Sequence, residues 1–468
     1  MRTNLNLTIL LTLVVSWTFA QELPETVTLD EAVTFGQENN RQILNASREV
    51  QRAYKERWST IAIGLPQISA SANYQNFLEL PTSLIPAQFF GGKEGEFAEV
   101  QFGTPQTMDA GVTLQQLLFD GSYIVGLEAS TVYLDISKNL LEKTALEIKK
   151  NIVSSYSSVL LIQENIKFLE KNKGNLEANL NEVRALFRNG FEEEESVEQL
   201  RLTLSSVETQ LRYAKNTREI SLNMLKLLMG FPTKAPLELV DTLESLTTDG
   251  LFEQKFEADL KLDNNVDIKI ASNNLRSESL LYKYEKSKSL PRLSAFLNGN
   301  YTGNSETFSF TDPEQKWFGA ALFGVNLQVP IFSSFKRRAQ SQKAKIAVDQ
   351  AETSLEETQE RISIEVQAAV NEYELSVETY FTTKENLALA ERIEQKNQSK
   401  YFEGIASSFD LRQAQLQLYS AQNNYISSIQ HVIQNIQLGN ICVQIVSKLF
   451  HNGAKTVDTT ACSAKWRI

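Results

Sequence analysis

Four consecutive glutamates, Glu192 to Glu195, follow a Phe187-Arg188-Asn189-Gly190 segment that reads as the end of a helix. Their elementary chemistry is electrostatic. Carboxylates there favour the N-terminus of a following helix, where the peptide dipoles present partial positive charge. Repeated by symmetry, they would instead form a ring that attracts cations and steers cationic solutes. A second acidic position, Asp410, follows another helix-ending glycine, Gly404. Its simplest role is to cap the next helix, which is compatible with lining the same ring. Ser196 with Gln199, and Asp410 with Gln413, have the spacing of capping boxes. Covalent or acid–base chemistry has little to work with. The two histidines, His431 and His451, match no nucleophile, metal or phosphate-loop pattern, so the sequence predicts no enzyme and no cofactor.

Long elements must position these residues. The ten prolines leave residues 106–231 and 331–468 free of proline, which permits two long helical regions. Apolar residues recur there mostly at three or four positions. Leu134, Leu141, Ala145, Ile148, Ile152, Tyr156 and Val159 form one seam, and Val348, Ala351, Leu355, Ile362, Val366 and Ala369 a second. The chain is also duplicated. Leu65-Pro66-Gln67-Ile68-Ser69-Ala70 returns as Leu290-Pro291-Arg292-Leu293-Ser294-Ala295, and Gly111-Val112-Thr113-Leu114-Gln115 as Gly324-Val325-Asn326-Leu327-Gln328.

Each copy reads as helix, hairpin, very long helix, tight turn and return helix. The first helix opens at Thr28, capped reciprocally by Glu31, and runs to about Gly64. Strands are expected at about 67–77, 106–116, 291–301 and 317–328, lengths that suit tilted membrane-spanning strands. A soluble surface hairpin is the other reading of these segments. The long helices are expected over Gly121–Asn189 and Ser334–Glu403, each roughly 100 Å in length. Return helices follow over about 196–229 and 410–437, and the second leading helix over about 263–289. Four strands cannot close a barrel, and open strand edges are not tolerated in lipid. Membrane insertion therefore requires several copies, and three would leave room for a lumen.

Residues 1–20, with Arg2, an apolar Leu5–Val15 core and a final Ala20, read as a secretory signal peptide. The mature chain then divides into a first repeat (21–231), an equatorial segment (232–262), a second repeat (263–437) and an atypical tail (438–468). The formal net charge of −11 argues against nucleic acid as a partner. Cys442 and Cys462 fall in or near the tail and could pair after export.

Val27-Thr28-Leu29-Asp30-Glu31-Ala32-Val33 with Glu38-Asn39-Asn40, the two Leu-Pro pairs, and the junction Leu118-Phe119-Asp120-Gly121 with its copy Ile331-Phe332-Ser333-Ser334 resemble TolC-family outer-membrane efflux proteins. The resemblance implies a mainly α fold with β: a trimeric α-barrel of long antiparallel helices plus a twelve-stranded transmembrane β-barrel, four strands per chain. It also implies residence in the outer membrane and its lipid, with extension into the periplasm. The expected role is a passive export duct of a tripartite efflux or type I secretion system, docked to a periplasmic adaptor (membrane fusion) protein and an inner-membrane pump. The other class considered is a periplasmic coiled-coil adaptor or scaffold. In the family an aspartate ring and a tyrosine–arginine clasp constrict the periplasmic mouth. Tyr401 and Asp410 match that pattern, whereas Ala406 stands where the clasp arginine would be and Gln413 where a second aspartate would be. The resemblance thus implies a clasp that is weakened or rebuilt and a mouth that leans on acidic rings. It does not identify the exported substrate.

Overall fold

The computed structural model describes residues 25–246 and 265–443. The signal peptide expected at 1–20, the second half of the equatorial segment (247–262), and Cys462 with any pairing to Cys442 lie outside them. In chain order the elements are β1 (Thr26–Val27), α1 (Leu29–Asn39), α2 (Arg41–Ala62), β2 (Gln67–Asn76), β3 (Thr82–Pro86), a short 3-10 turn (Ala87–Phe90), β4 (Phe97–Gln101) and β5 (Gln106–Asp120). Then come α3 (Gly121–Arg188), α4 (Glu194–Met229), β6 (Glu238–Leu239), α5 (Val266–Ser287), β7 (Arg292–Ser305), β8 (Trp317–Gln328), α6 (Lys336–Phe402) and α7 (Ser408–Val443). The long helices contain 68 and 67 residues, close to expectation.

The differences have physical causes. The first leading helix is broken at Asn40, whose side-chain oxygen accepts from the amides of Gln42 and Ile43 and so starts α2 afresh. Asn265 does the same for α5 through the amides of Asp267 and Ile268. Thr28 and Glu31 form the expected capping box, with Thr28 N donating to Glu31 Oε2 at 2.9 Å. A second hairpin, β3 with β4, lies within the connection from β2 to β5, where the sequence reading has one hairpin only. The last helix continues to Val443, past the end expected near 437.

The chain forms two compact units, each drawing on both sequence copies. One comprises residues 25–37, 151–246 and 383–430. Its core is a set of helix seams: Leu169 and Leu176 against Val207, Leu211 and Ala214, and Leu387 and Ala390 against Leu418. A parallel pair, β1 with β6, is pinned by Asp241, which accepts from Leu29 N at 2.7 Å and from the buried Tyr156 hydroxyl at 2.8 Å. Gly36 lets α1 approach α3 closely, since an added Cβ would displace the Cδ1 methyl of Ile152.

The other unit comprises residues 38–150, 265–382 and 431–443. Ile268 of α5 packs on Ile362 and Val366 of α6, flanked by the ion pair of Lys143 with Asp267 at 2.8 Å. Its sheet is antiparallel in the order β2-β5-β7-β8, so β2 and β8 are edges. The register separates two faces. One carries Ile68, Ala70, Ala72 and Tyr74 of β2, then Met108, Ala110, Val112 and Leu114 of β5. It continues across Leu293, Ala295, Leu297 and Tyr301 of β7 to Trp317, Ala321, Phe323, Val325 and Leu327 of β8. One polar side chain, Gln116 in the row of Ala295 and Val325, interrupts the face near its helix-side end, and its amide donates to Gly64 O at 2.8 Å. The opposite face carries Ser69, Asn73, Asp109, Thr113, Asn298 and Thr302, cross-linked by Asn298 to Thr113 at 2.7 Å and Thr302 to Asp109 at 2.5 Å, and these polar rows end at the β8 edge in exposed Leu322 and Phe318. A sheet with one predominantly apolar, uncovered face and one face whose inner strands are hydrogen-bonded and polar suits a boundary between hydrocarbon and water.

Candidate functional site

The acidic residues singled out in the sequence sit where each long helix turns back, both within the first unit. The turns have one backbone design. Gly190 and Gly404 take φ of +77° and +74°, the left-handed conformation that favours glycine. Gly190 N donates to Phe187 O and Phe191 N to Leu186 O, both at 3.0 Å. Gly404 N donates to Tyr401 O at 3.0 Å and Ile405 N to Lys400 O at 2.8 Å. Each pair closes a Schellman motif and satisfies the last carbonyls of the long helix. Aligned on these glycines, the position of Phe187 corresponds to Tyr401.

The helix starts that follow differ. In the first turn Glu193 is the N-cap and makes no side-chain capping bond. Glu194 and Glu195 occupy the first turn of α4, facing the positive end of its dipole. Ser196 is not a cap. It is buried one turn inside the helix, and Gln199 donates instead to Glu195 Oε1 at 2.7 Å. In the second turn the capping box falls three residues earlier than expected. Ser407 N donates to Asp410 Oδ2 at 3.0 Å, and Asp410 N to Ser407 Oγ at 3.2 Å. Asp410 is therefore the reciprocating third residue of the box, and Gln413 plays no part in it. These bonds from Ser407, aided by the charge of Lys400, hold the exposed Asp410 carboxyl below the usual carboxylate range.

Tyr401 is buried, packed with Val183 of α3 and Leu411 of α7. Its hydroxyl lies near the Glu192 carboxylate but makes no hydrogen bond of good geometry among the described residues. Burial, and next the negative charge of half-buried Glu192, push its ionisation well above that of a free tyrosine. Glu193, Glu194 and Glu195 are exposed.

Arg412, which the sequence reading passed over, ties the two turns together. Its guanidinium donates to Gln199 Oε1 and lies over the ring of Phe409, 5.5 Å from the centroid. Glu195, Gln199 and Arg412 thus form a chain from one turn to the other. An arginine link exists, from position 412 and not from 406. Further along α6, Glu394 is buried with Lys171 and Gln415 as its neighbours, and desolvation pushes its carboxyl up. Among the described residues no group of His, Cys, Asp and Glu has a metal-binding arrangement.

The model of the outer membrane efflux protein family matches residues 36–231 and 258–437. The outer membrane protein TolC of Vibrio cholerae serotype O1 is 21% identical over 403 residues, 85% of this chain and 86% of that protein. Among solved structures, the outer membrane channel MtrE of Neisseria gonorrhoeae in its open state superposes with a TM-score of 0.70 at 18% identity, covering 89% of this chain and 88% of that one. VceC, an outer membrane protein of Vibrio cholerae, superposes with a TM-score of 0.69 at 15% identity, covering 89% and 95%.

Proposed function

The chain belongs to the outer membrane efflux protein family and is an outer-membrane efflux channel with a TolC-like fold, and from that premise we propose that three copies close into one passive duct. The observation that carries this reading is the two-faced sheet with unpaired edges at β2 and β8. Edge pairing of β8 in one copy with β2 in the next removes the open edges, and three copies give twelve strands with the polar face inward. From the row of Tyr301 and Gly319 to that of Leu293 and Leu327 the apolar face spans eight residue steps. At about 3.3 Å per residue and a tilt near 40° this covers about 20 Å, close to the apolar band of a membrane barrel.

In this reading the helices extend into the periplasm and the turns at Gly190 and Gly404 form the periplasmic mouth. A periplasmic adaptor and an inner-membrane pump would supply docking and energy, and the duct itself would do no chemistry. Three copies would set twelve carboxylates from Glu192–Glu195 around the opening, with Asp410 adding three more. Arg412, bound to Gln199, would hold the two turns of each copy together in place of the clasp arginine. Tyr401 would serve as a packing post for the turn.

Two measurements test this. Extraction from membranes should require detergent and yield a trimer; a monomer soluble in plain buffer would favour the adaptor or scaffold class. In planar bilayers the trimer should be cation-selective, and replacing Glu192–Glu195 together by Gln should reduce that selectivity severalfold. Unchanged selectivity would reduce the cluster to a solvated helix start.

A further inference from the structure

The connection from β8 to α6 breaks several local rules at once. Ser334 and Phe335 have φ of +48° and +64°, the only non-glycine residues with positive φ among the described residues. Ile331, Phe332 and Phe335 are 91%, 75% and 69% exposed, and the two phenylalanine rings stack edge to face at 6.1 Å. Lys336, Arg337 and Arg338 then open α6, where the helix dipole disfavours positive charge. Arg337 is turned back, donating to Pro330 O at 3.1 Å. Lys336 and Arg338 are exposed, with no acidic partner among the described residues.

The corresponding junction of the first copy satisfies itself. Asp120 accepts from Ser122 N at 2.8 Å and Tyr123 N at 3.3 Å, and pairs with Arg292 at 3.5 Å. Tyr123 donates to Ile61 O at 3.1 Å, and no cation lies in the first turn of α3. Both junctions expose apolar side chains, Leu118 and Phe119 at the first, but exposed cations opening the long helix belong to the second alone.

The patch continues from the helix-side end of the apolar face, next to Leu327 and the 51% exposed Val329. At the other end of the sheet Tyr74, Phe308, Phe310 and Trp317 form a ring cluster, with Phe310 to Trp317 at 6.2 Å. Aromatic groups thus mark both ends of the apolar face, as they do at the two boundaries of a bilayer. Lys316 beside Trp317 puts one exposed cation at the Trp317 end, whereas the helix-side end carries two close together in sequence, Lys336 and Arg338.

Building on the outer-membrane reading, we propose that the β8–α6 junction binds the headgroup of an anionic phospholipid in the periplasmic leaflet. Lys336 and Arg338 take the phosphate, while Ile331, Phe332 and Phe335 sit at the top of the acyl chains. The charges are complementary, and a cation at an anionic membrane surface is worth about a fivefold preference.

The test uses the full-length trimer in nanodiscs of mixed phosphatidylglycerol and phosphatidylethanolamine, with retained lipid counted by native mass spectrometry. Wild type should retain phosphatidylglycerol at least about fivefold over its share of the mixture. Lys336→Gln with Arg338→Gln should bring retention down to that share. Arg201→Gln with Arg212→Gln, on exposed positions of α4, should leave it unchanged and controls for net charge. A membrane-inserted wild type without preference, or a junction variant that keeps it, overturns the proposal alone. A variant that loses the trimer while keeping the preference assigns the patch to contact between copies and also overturns it. A chain that never enters the nanodisc overturns the outer-membrane reading itself.

Discussion

The two helical turns share a backbone and differ in chemistry. Gly190 and Gly404 have φ within a few degrees of each other, and the same two hydrogen bonds close each long helix. Beyond the glycine the first turn presents four glutamates and an uncapped α4, whereas the second presents a Ser407–Asp410 box and a buried tyrosine. Duplication therefore preserves the backbone conformation that reverses a helix, which a few hydrogen bonds enforce. It leaves side chains around that reversal free to diverge. One turn concentrates charge; the other supplies packing and order.

The largest test of that division compares Tyr401 with Phe187, which occupy the same place relative to their glycines. Tyr401 is 8% exposed and Phe187 40%. Tyr401→Ala should cost about 3–5 kcal/mol, the range for emptying an aromatic core site, and Phe187→Ala about 1 kcal/mol or less. Thermal unfolding of the detergent-solubilised protein, with amide exchange at each turn, separates the two. Equal costs would mean that packing is shared between the turns.

A smaller effect is expected at the caps. Ser407→Ala removes a side-chain bond to the start of α7 and should destabilise by about 1 kcal/mol. Glu193→Ala removes no capping bond and should change stability by a few tenths of a kcal/mol at most. Faster amide exchange in the first turn of α7, with none in α4, is the expected signature. Matching losses would place a capping role on Glu193.

Much of this architecture is legible in the sequence. The internal duplication, the two proline-free tracts and the strand positions come from patterns that repeat within a few residues. Helix ends at Gly190 and Gly404 are legible for the same reason, since only glycine takes that backbone without strain. Other features depend on contacts that no local pattern encodes. Arg412 meets Gln199 across more than two hundred residues, and nothing in Leu411-Arg412-Gln413 announces it. The break at Asn40 sits inside a plausible helical period, although Asn264-Asn265 ahead of α5 is a second copy of the same signal. Capping boxes are ambiguous because their short pattern recurs: Ser196 with Gln199 fits it but is buried. The β3–β4 hairpin is interrupted by Pro86 and three nearby glycines, which hide its alternation.

The last prediction sets two carboxylates against each other. Asp410 has its acidity strengthened by Ser407, so its folded pKa lies below the ordinary 3.8. Its contribution to stability is fully present above that value and is lost as pH falls through the folded pKa. Glu394 is shifted the other way, raised above 4.5 chiefly by burial. Its contribution is fully present below 4.5 and is lost as pH rises through the folded pKa, because the ionised form must then be held away from water. Lowering pH from neutral should therefore first stabilise the helices around Glu394 and only later loosen the start of α7. Glu394→Gln should abolish the first phase and raise stability at neutral pH, while Asp410→Asn should remove the second. Amide exchange from neutral pH to about pH 3 reads both phases, after correction for intrinsic exchange. A single monotonic loss of protection in both regions would mean that burial at Glu394 is relieved by water, and that the two carboxylates do not oppose each other.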